Sequence, residues 1–594
     1  MPDLHSVKQF VALALSKTGR HSEAVPFFVS LLKVFPENVI TLRNLAISLR
    51  ESREYQAAAD VYLTLLQLDP TTAQEVYLNL ADISRRLGNR SAALDFAQKG
   101  YELNPENLDL AKNYVGLLSA RGNISKAIEI AEKTLLQHPT QDDLKAFVIR
   151  ELAHVCDWAR LKPYENEMSQ IGLGAVAVDP FSFVSLDGDP ESTRQRMRKH
   201  TARALAATQM TRPPLVSPEG RKIRIGYFSS DFYAHATMDL LRGVLRNHNR
   251  DLFEVHLFYY ADYVDDAEHQ FAKTHSDFVH YVRDKSDLQI AQLSRELKID
   301  VAVDLKGHTN NNRIAIFGWG AAPITISYLG YPGTLGSEVF DYMVVDAVTV
   351  PPELENHYDE KLIFMPGSYQ PNDDQRMQPD WTKTRADYGL PEDAFVFCSF
   401  NSAYKITEDC FERWMEIMTR VENSVLWLLA RNDLAFENLQ KEAQARGIAP
   451  ERLIRAHPVS RMEHLARHHL ADLFIDTFTC NAHTTAADAL WMGLPVITMP
   501  GQVFQSRVAA SLLSALEMDE LIVETQEEYV ALVCKLAQSD AALKAVKEKI
   551  LKNQKSAALF DTQSYTRALE SAFVEAVTRH HLGKPHEHLR VDNA

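Results

Sequence analysis

From Lys222 onward the chain alternates short, continuously apolar runs with stretches in which apolar residues recur at helical spacing. KIRIGYFSSDF, EVHLFYY, IDVAVDLKG, ITISYLG, YMVVDAV and KLIFMP form a first set of predicted strands. A polar, proline-bearing break over residues 371–392 follows. Then FVFCSFN, SVLWLLA, RLIRAHPV, LADLFIDT and PVITMPG alternate with five helical stretches. Runs that are apolar on both faces and separated by helices predict parallel sheets covered on each side. Two such sets in tandem predict two Rossmann-like domains facing across a cleft, with ligand at the carboxyl ends of the strands.

The front of the chain has a different period. Pro36, Pro70, Pro105 and Pro139 recur at an interval of about 34 residues, that of a tetratricopeptide repeat. Twelve positions before each proline stands Ala24, Ala58, Ala93 or Ala127, and seventeen before it stands Gly19, Gly88 or Gly122 in three of the four units. A small residue lets two helices approach, glycine tolerates the turn and proline stops the second helix. The repeats over residues 1–141 are therefore expected to stack into an α-superhelix, whose groove suits an extended polypeptide; a structural spacer is the alternative.

Residues 142–218 begin helically (DDLKAFVIRELAHVCDWARL) and loosen into DPFSFVSLDGDPES and RPPLVSPEG around one basic helix, a predicted linker. The first Rossmann-like domain is expected over 219–385, and the second, with C-terminal helices, over 386–594.

Composition narrows the function classes. At 594 residues the chain is long enough for two to four domains, and 46% hydrophobic with 24% charged residues describes a globular protein. A formal net charge of −16 repels a phosphate backbone over most of the surface, so no nucleic-acid partner is expected, although a local basic pocket for a nucleotide is allowed. Cys156, Cys398, Cys410, Cys480 and Cys534 show no CxxC spacing, which suits a reducing compartment. The opening MPDLHSVKQFVALALSKTGR is not expected to be a signal peptide, and no apolar run reaches the length that a membrane span needs. A cytoplasmic protein without a membrane partner is expected; a homo-oligomer is left open.

Candidate chemistry gathers at strand ends. In CNAHTTAADALW, after the strand LADLFID, Thr484 and Thr485 fall in the first turn of a helix ended by Gly493 and Pro495. Unpaired N–H groups and a positive dipole end make that turn a seat for a diphosphate; a plain threonine cap is the alternative. His483 and Asp488 are polar groups a cap does not need, and Asp488 suits a ribose hydroxyl. Lys405, in the loop after FVFCSFN, is a candidate to neutralise a departing diphosphate; a solvated loop lysine is the alternative. Arg461, His464 and Arg467 surround a short helix in AHPVSRMEHLARHHLADLFID, and Asp231 and His235 follow the first strand, His235 being a candidate acid or base. Gly330, Gly333 and Gly336 around Pro332 permit close backbone approach.

Neither half carries a G-x-G-x-x-G or P-loop motif, which argues against dinucleotide oxidoreductases and P-loop nucleotidases. Asp187-Gly-Asp189 has a metal-binding D-x-D pattern but lies in the linker, and the tail HHLGKPHEHL is irregular, so no metal is expected.

The repeats followed by DLKGHTNNNRIAIFGWGAAPITISYLGYPGTLGSEVFDYMVVD, FNSAYKI, NSVLWLL and IDTFTCNAHTTAADALWMGLPVITMPGQVFQSRVAAS resemble the O-linked N-acetylglucosamine transferase family, in its shorter bacterial form. The resemblance implies an α/β GT-B fold and metal-independent, inverting transfer from UDP-N-acetylglucosamine to Ser or Thr of protein acceptors, with no cofactor. It implies that Lys405 contacts the diphosphate and that His483, Thr484 and Thr485 hold the phosphates. Arg461 and His464 would lie by the uracil with Arg467 beside them, Asp488 would bind ribose and Gly333 would lie near the sugar. His235 matches a histidine proposed as the base. The chain departs from the family in Ser402 at a donor-binding position that often holds Gln, in Arg461 for Lys, in Asn-Ala-His-Thr-Thr for Asn-Gly-His-Thr-Thr, and in Lys306–Thr309 (KGHT) for NGYT. A UDP-glucose or GDP-fucose donor, or an inert repeat scaffold, are the competing expectations.

Overall fold

The structure is a computed structural model that describes residues 4–376, 379 and 381–592. The chain divides into two compact units, one ending at Glu151 and one beginning at Leu152.

In the first unit, helices Leu4–Lys17, Val39–Glu51, Ala73–Arg86 and Leu108–Ala120 are each followed by a partner, His21–Leu32, Tyr55–Leu68, Arg90–Leu103 and Ile124–Gln137. Ala24, Ala58, Ala93 and Ala127 are all 0% exposed, as the close approach of paired helices requires. Gly19, Gly88 and Gly122 sit at φ 76° to 77° in the turns, and the unit without glycine puts Arg53 there at φ 64°. The register runs past the predicted end of the repeats. Helix Asp142–His154 starts one repeat interval after Leu108, and Cys156, the same interval after Gly122, is again left-handed at φ 52°.

The second unit contains two all-parallel sheets. The first holds β1 (Ile223–Ser229), β2 (Phe253–Tyr259), β3 (Phe278–Tyr281), β4 (Val301–Asp304), β5 (Ile324–Ser327), β6 (Tyr342–Asp346) and β7 (Lys361–Met365). The second holds β8 (Phe395–Ser399), β9 (Ser424–Leu429), β10 (Leu453–Ala456), β11 (Leu473–Ile475) and β12 (Val496–Ile497), in the order β10-β9-β8-β11-β12. A last strand, β13 (Leu589–Arg590), joins the first sheet, giving β13-β7-β6-β5-β4-β1-β2-β3.

All eleven predicted strands are present, and β3 and β13 are additional. Both escape the apolar signal because they are edge strands with exposed residues in FVHY and LR. The expected assignment of the C-terminal helices to the second domain also needs correction. Helix Thr562–His581 packs Leu569, Ala572 and Phe573 into the core under β1 and β4, so the end of the chain belongs to the first sheet. Its Glu570 accepts from the Asn249 amide at 2.6 Å and pairs with His248 at 3.0 Å.

Candidate functional site

The loop after β11 is built around one carboxylate. Asp476 is fully buried; its Oδ1 accepts the amides of Thr477 at 2.8 Å and Ala482 at 2.7 Å, and its Oδ2 accepts the Thr498 hydroxyl at 2.8 Å. Both ends of the turn are thereby tied to the strand, which delivers His483 to the head of helix Thr484–Trp491. The Ala486 and Ala487 amides turn back to the His483 carbonyl at 3.0 and 3.1 Å. Those of Thr484 and Thr485 precede the first helical bond, at the positive end of the dipole. The Thr485 hydroxyl donates to Asn401 Oδ1 at 3.1 Å, and Asn401 Nδ2 donates to Asp476 Oδ1 at 3.1 Å, coupling this loop to the end of β8.

Lys405 closes the short turn Ala403–Lys405 after β8, and its Nζ donates to the Asn481 carbonyl at 2.6 Å. Burial works against its charge, but Cys480, Tyr404 and Asp476 outweigh it and raise its pKa above that of an ordinary lysine. The neighbouring His483 is pushed down to about 3 by burial and by the Lys405 charge, so its ring is neutral. Because its Nε2 donates to the Gln505 carbonyl at 3.0 Å, its Nδ1 is a hydrogen-bond acceptor.

Around helix Arg461–Ala466, Arg467 Nη1 donates to the His457 carbonyl at 2.8 Å and Nη2 to His464 Nδ1 at 2.6 Å. The Arg467 guanidinium lies 4.3 Å from the Phe400 ring centre, and burial lowers its pKa to about 10, so it stays charged. His464 is held neutral, its pKa lowered to about 2 by burial and by His468 and Arg467. Arg461 donates to both Asp488 oxygens, at 2.5 and 2.8 Å.

On the opposite side, β1 and β4 supply a buried ion pair, Lys306 Nζ to Asp231 Oδ2 at 2.6 Å. His235 Nδ1 lies 3.6 Å from the same Asp231 oxygen and accepts the Thr237 amide at 3.1 Å, capping helix Ala236–Asn247. Burial lowers the His235 pKa, opposed by Asp231 and reinforced by Lys306. With Nδ1 occupied as an acceptor, the neutral ring carries its proton on Nε2 and offers a donor there. Gly330 passes so close to β4 that a Cβ would sit 2.4 Å from the Leu305 carbonyl oxygen.

These strand ends enclose a cavity of about 770 Å³. His235 lines it from the first half; Ser402, Lys405, Arg461, His464 and Arg467 line it from the second, with His483, Thr484 and Thr485. Two predicted residues are outside its wall. Asp488 is only 2% exposed and spends its carboxylate on Arg461 and on Arg376 at 3.0 Å, so it acts through Arg461 instead of facing the cavity. Gly333 is not one of the lining residues, and Gly330 and Pro332 from its loop line the cavity in its place. The Asp187-Gly-Asp189 pattern is structural: Asp187 accepts from Arg196 at 2.9 Å and Ser192 at 2.7 Å, and Asp189 caps the Ser192 amide at 2.7 Å.

Several lining residues have no warning in the sequence. Phe181 and Val184 come from the predicted linker, and Arg431 and Pro458 from loops with no distinctive spacing. Asp476 and Asn401 had one available signal: each is a polar residue at the end of a mainly apolar run.

A cationic cavity lies at the carboxyl ends of two facing parallel sheets with a helix N-terminus in its wall, the placement at which α/β folds of the glycosyltransferase class carry their sites. The chain belongs to glycosyl transferase family 41, whose family model matches residues 200–383 and 380–569. Tetratricopeptide repeat models match residues 41–74 and 74–107. A probable UDP-N-acetylglucosamine–peptide N-acetylglucosaminyltransferase SEC of Arabidopsis thaliana is 33% identical over 468 residues, 75% of this chain and 48% of the relative. The UDP-N-acetylglucosamine–peptide N-acetylglucosaminyltransferase of Caenorhabditis elegans is 28% identical over 485 residues, 62% of this chain and 42% of the relative. The chain thus spans less than half the length of these curated relatives. A mutant O-GlcNAc transferase of Thermobaculum terrenum shares the fold, with a TM-score of 0.71 at 24% identity over 86% of this chain and 99% of that one.

Proposed function

We propose that the chain is an inverting transferase that moves N-acetylglucosamine from UDP-N-acetylglucosamine to Ser or Thr hydroxyls of proteins, without a metal. The observation that carries this reading is the Lys405–Asn481 bond of 2.6 Å, which fastens an ammonium to the loop that begins helix Thr484–Trp491. One wall then offers a cation and a helix N-terminus to a leaving diphosphate, where negative charge develops in the transition state.

The acceptor hydroxyl attacks the anomeric carbon in line, the bond from that carbon to the phosphate oxygen breaks with its electron pair leaving on UDP, and the hydroxyl proton passes to solvent water. Configuration inverts because there is one displacement. Arg461, held by Asp488, and His464 form the nucleoside end with Arg467 beside them. His483, expected to hold phosphate, is a neutral acceptor at Nδ1, so it takes a donor such as a sugar hydroxyl instead. His235 acts as a donor at Nε2; its occupied Nδ1 makes it a poor proton acceptor. The repeat groove holds the polypeptide acceptor, and the five buried, free cysteines suit a reducing, cytoplasmic setting.

Calorimetry with UDP, GDP, UDP-N-acetylglucosamine, UDP-glucose and GDP-fucose, paired with intact-mass measurement of acceptor proteins, tests the reading. UDP binding and a mass gain of one N-acetylhexosamine are expected. Preference for GDP, or a hexose gain, would replace the donor, and no binding would indicate a scaffold. Removal of residues 1–141 is expected to abolish protein modification while sparing slow donor hydrolysis; equal modification would refute the groove role.

A further inference from the structure

Arg461 contacts more than the cavity wall that carries it. Its Nη1 and Nη2 are engaged by Asp488 of the second half, and its Nε lies 3.2 Å from Asp239 Oδ2 of the first. Asp239 is on helix Ala236–Asn247, one turn after His235 caps that helix. The guanidinium therefore spans the cleft between two carboxylates, one from each sheet's layer of helices. Two of its N–H groups donate to Asp488, and its Nε makes the ion-pair contact with Asp239.

The contact belongs to a wider charged seam. Arg376, from the segment joining the halves, donates to Asp488 at 3.0 Å and to Asn372 at 3.1 Å, while Arg242, on the Asp239 helix, pairs with Glu268 at 2.6 Å. Each cation beside Arg461 thus has its own acceptor, and Asp239 has Arg461 as its ion-pair partner among the described residues. Burial raises the Asp239 pKa and Arg461 opposes this. A lysine at 461 offers one ammonium in place of a planar fork and could not hold both carboxylates in this geometry.

We propose that Asp239 is a positioning residue: by holding Arg461 across the cleft, it makes the helix that carries His235 and the wall that seats the diphosphate move as one. This rests on the nucleotide-sugar reading above. The tie acts on turnover more than on nucleotide affinity, because the second half supplies most of the seat, whereas the geometry of His235 depends on closure.

The test measures UDP affinity by calorimetry and UDP release from UDP-N-acetylglucosamine for the full chain and for Asp239→Asn, Asp239→Glu, Arg461→Lys and the Asp239→Asn/Arg461→Lys pair. Asp239→Asn is expected to lower kcat about tenfold or more while leaving the UDP Kd within about threefold, as loss of alignment without loss of ground-state binding predicts. Asp239→Glu should restore most of the rate, and Asp239→Asn should add less than about twofold in the Arg461→Lys background, because the shared contact is already gone. Unchanged turnover in Asp239→Asn, or an equal loss in both backgrounds, would overturn the tie while the donor reading stood. Absence of UDP binding by the unmodified chain would remove the donor reading, and the role of the tie with it.

Discussion

The Lys405 ammonium donates to the Asn481 carbonyl at 2.6 Å, joining the end of β8 to the loop that follows β11. That bond orients the cation toward the helix N-terminus and also fastens the loop. Lys405→Ala is expected to lower turnover by about 10²–10³, the cost of removing one group that stabilises developing charge. The thermal midpoint should change little, since a hydrogen bond to a loop carbonyl contributes only about 1 kcal/mol. Steady-state UDP release and calorimetric melting check the two parts separately.

Asp476 has the opposite profile. It receives Thr477, Ala482 and Thr498 from a fully buried position, so its replacement leaves donors unsatisfied. Asp476→Ala should destabilise the protein by about 3 kcal/mol or more, through lost hydrogen bonds and buried donors without acceptors. Denaturant unfolding measures this. Weakened UDP binding should accompany it, because the Thr484 turn loses its anchor.

His235 combines a cap with a donor. His235→Ala removes the acceptor for the Thr237 amide and should cost about 1 kcal/mol of stability. His235→Asn keeps an acceptor for the cap, so its stability should match that of the unmodified chain while turnover still falls. A normal rate for both variants would remove His235 from the chemistry.

Asp488 sets an acid-range prediction. Burial raises its pKa, but hydrogen bonds and charge from Arg461, with the charge of Arg376, bring it down to about 2. An unfolded aspartate titrates near 3.9, so the ion pair contributes stability fully above that value, and the contribution is lost as pH falls through about 2. The size is on the order of 2 kcal/mol. Urea unfolding between about pH 5 and 2 should show a steeper loss for the unmodified chain than for Asp488→Asn.

Arg53 occupies a left-handed turn at φ 64° where the other three turns have glycine. Arg53→Gly should stabilise the repeats by about 0.5–1 kcal/mol, the strain of an L-residue there exceeding the entropy cost of glycine. The midpoint of repeat unfolding is the measurement.

The parts of the fold that repeat, or that stay apolar over several residues, are legible in the chain itself. The Ala24, Ala58, Ala93, Ala127 register and the runs of β1 and β8 are such parts, because one physical requirement is imposed at regular positions. Lys405 and Thr484 stand out because each begins or precedes a helix at a strand end. Asp488 is legible as important but not in its task, since nothing local says that two arginines from distant segments use its oxygens. The Asp231–Lys306 pair is 75 positions apart in sequence and has no periodic mark. The same holds for Thr562–His581, whose apolar face looks like that of any helix and does not name the sheet it covers.

Because that helix and β13 return to the first sheet, the backbone passes between the two sheet layers twice, once between β7 and β8 and once before Thr562. A single covalent link would leave relative rotation free in every direction. Two links restrain relative rotation of the layers more than one would, because a rotation that one crossing allows must also be accommodated by the other.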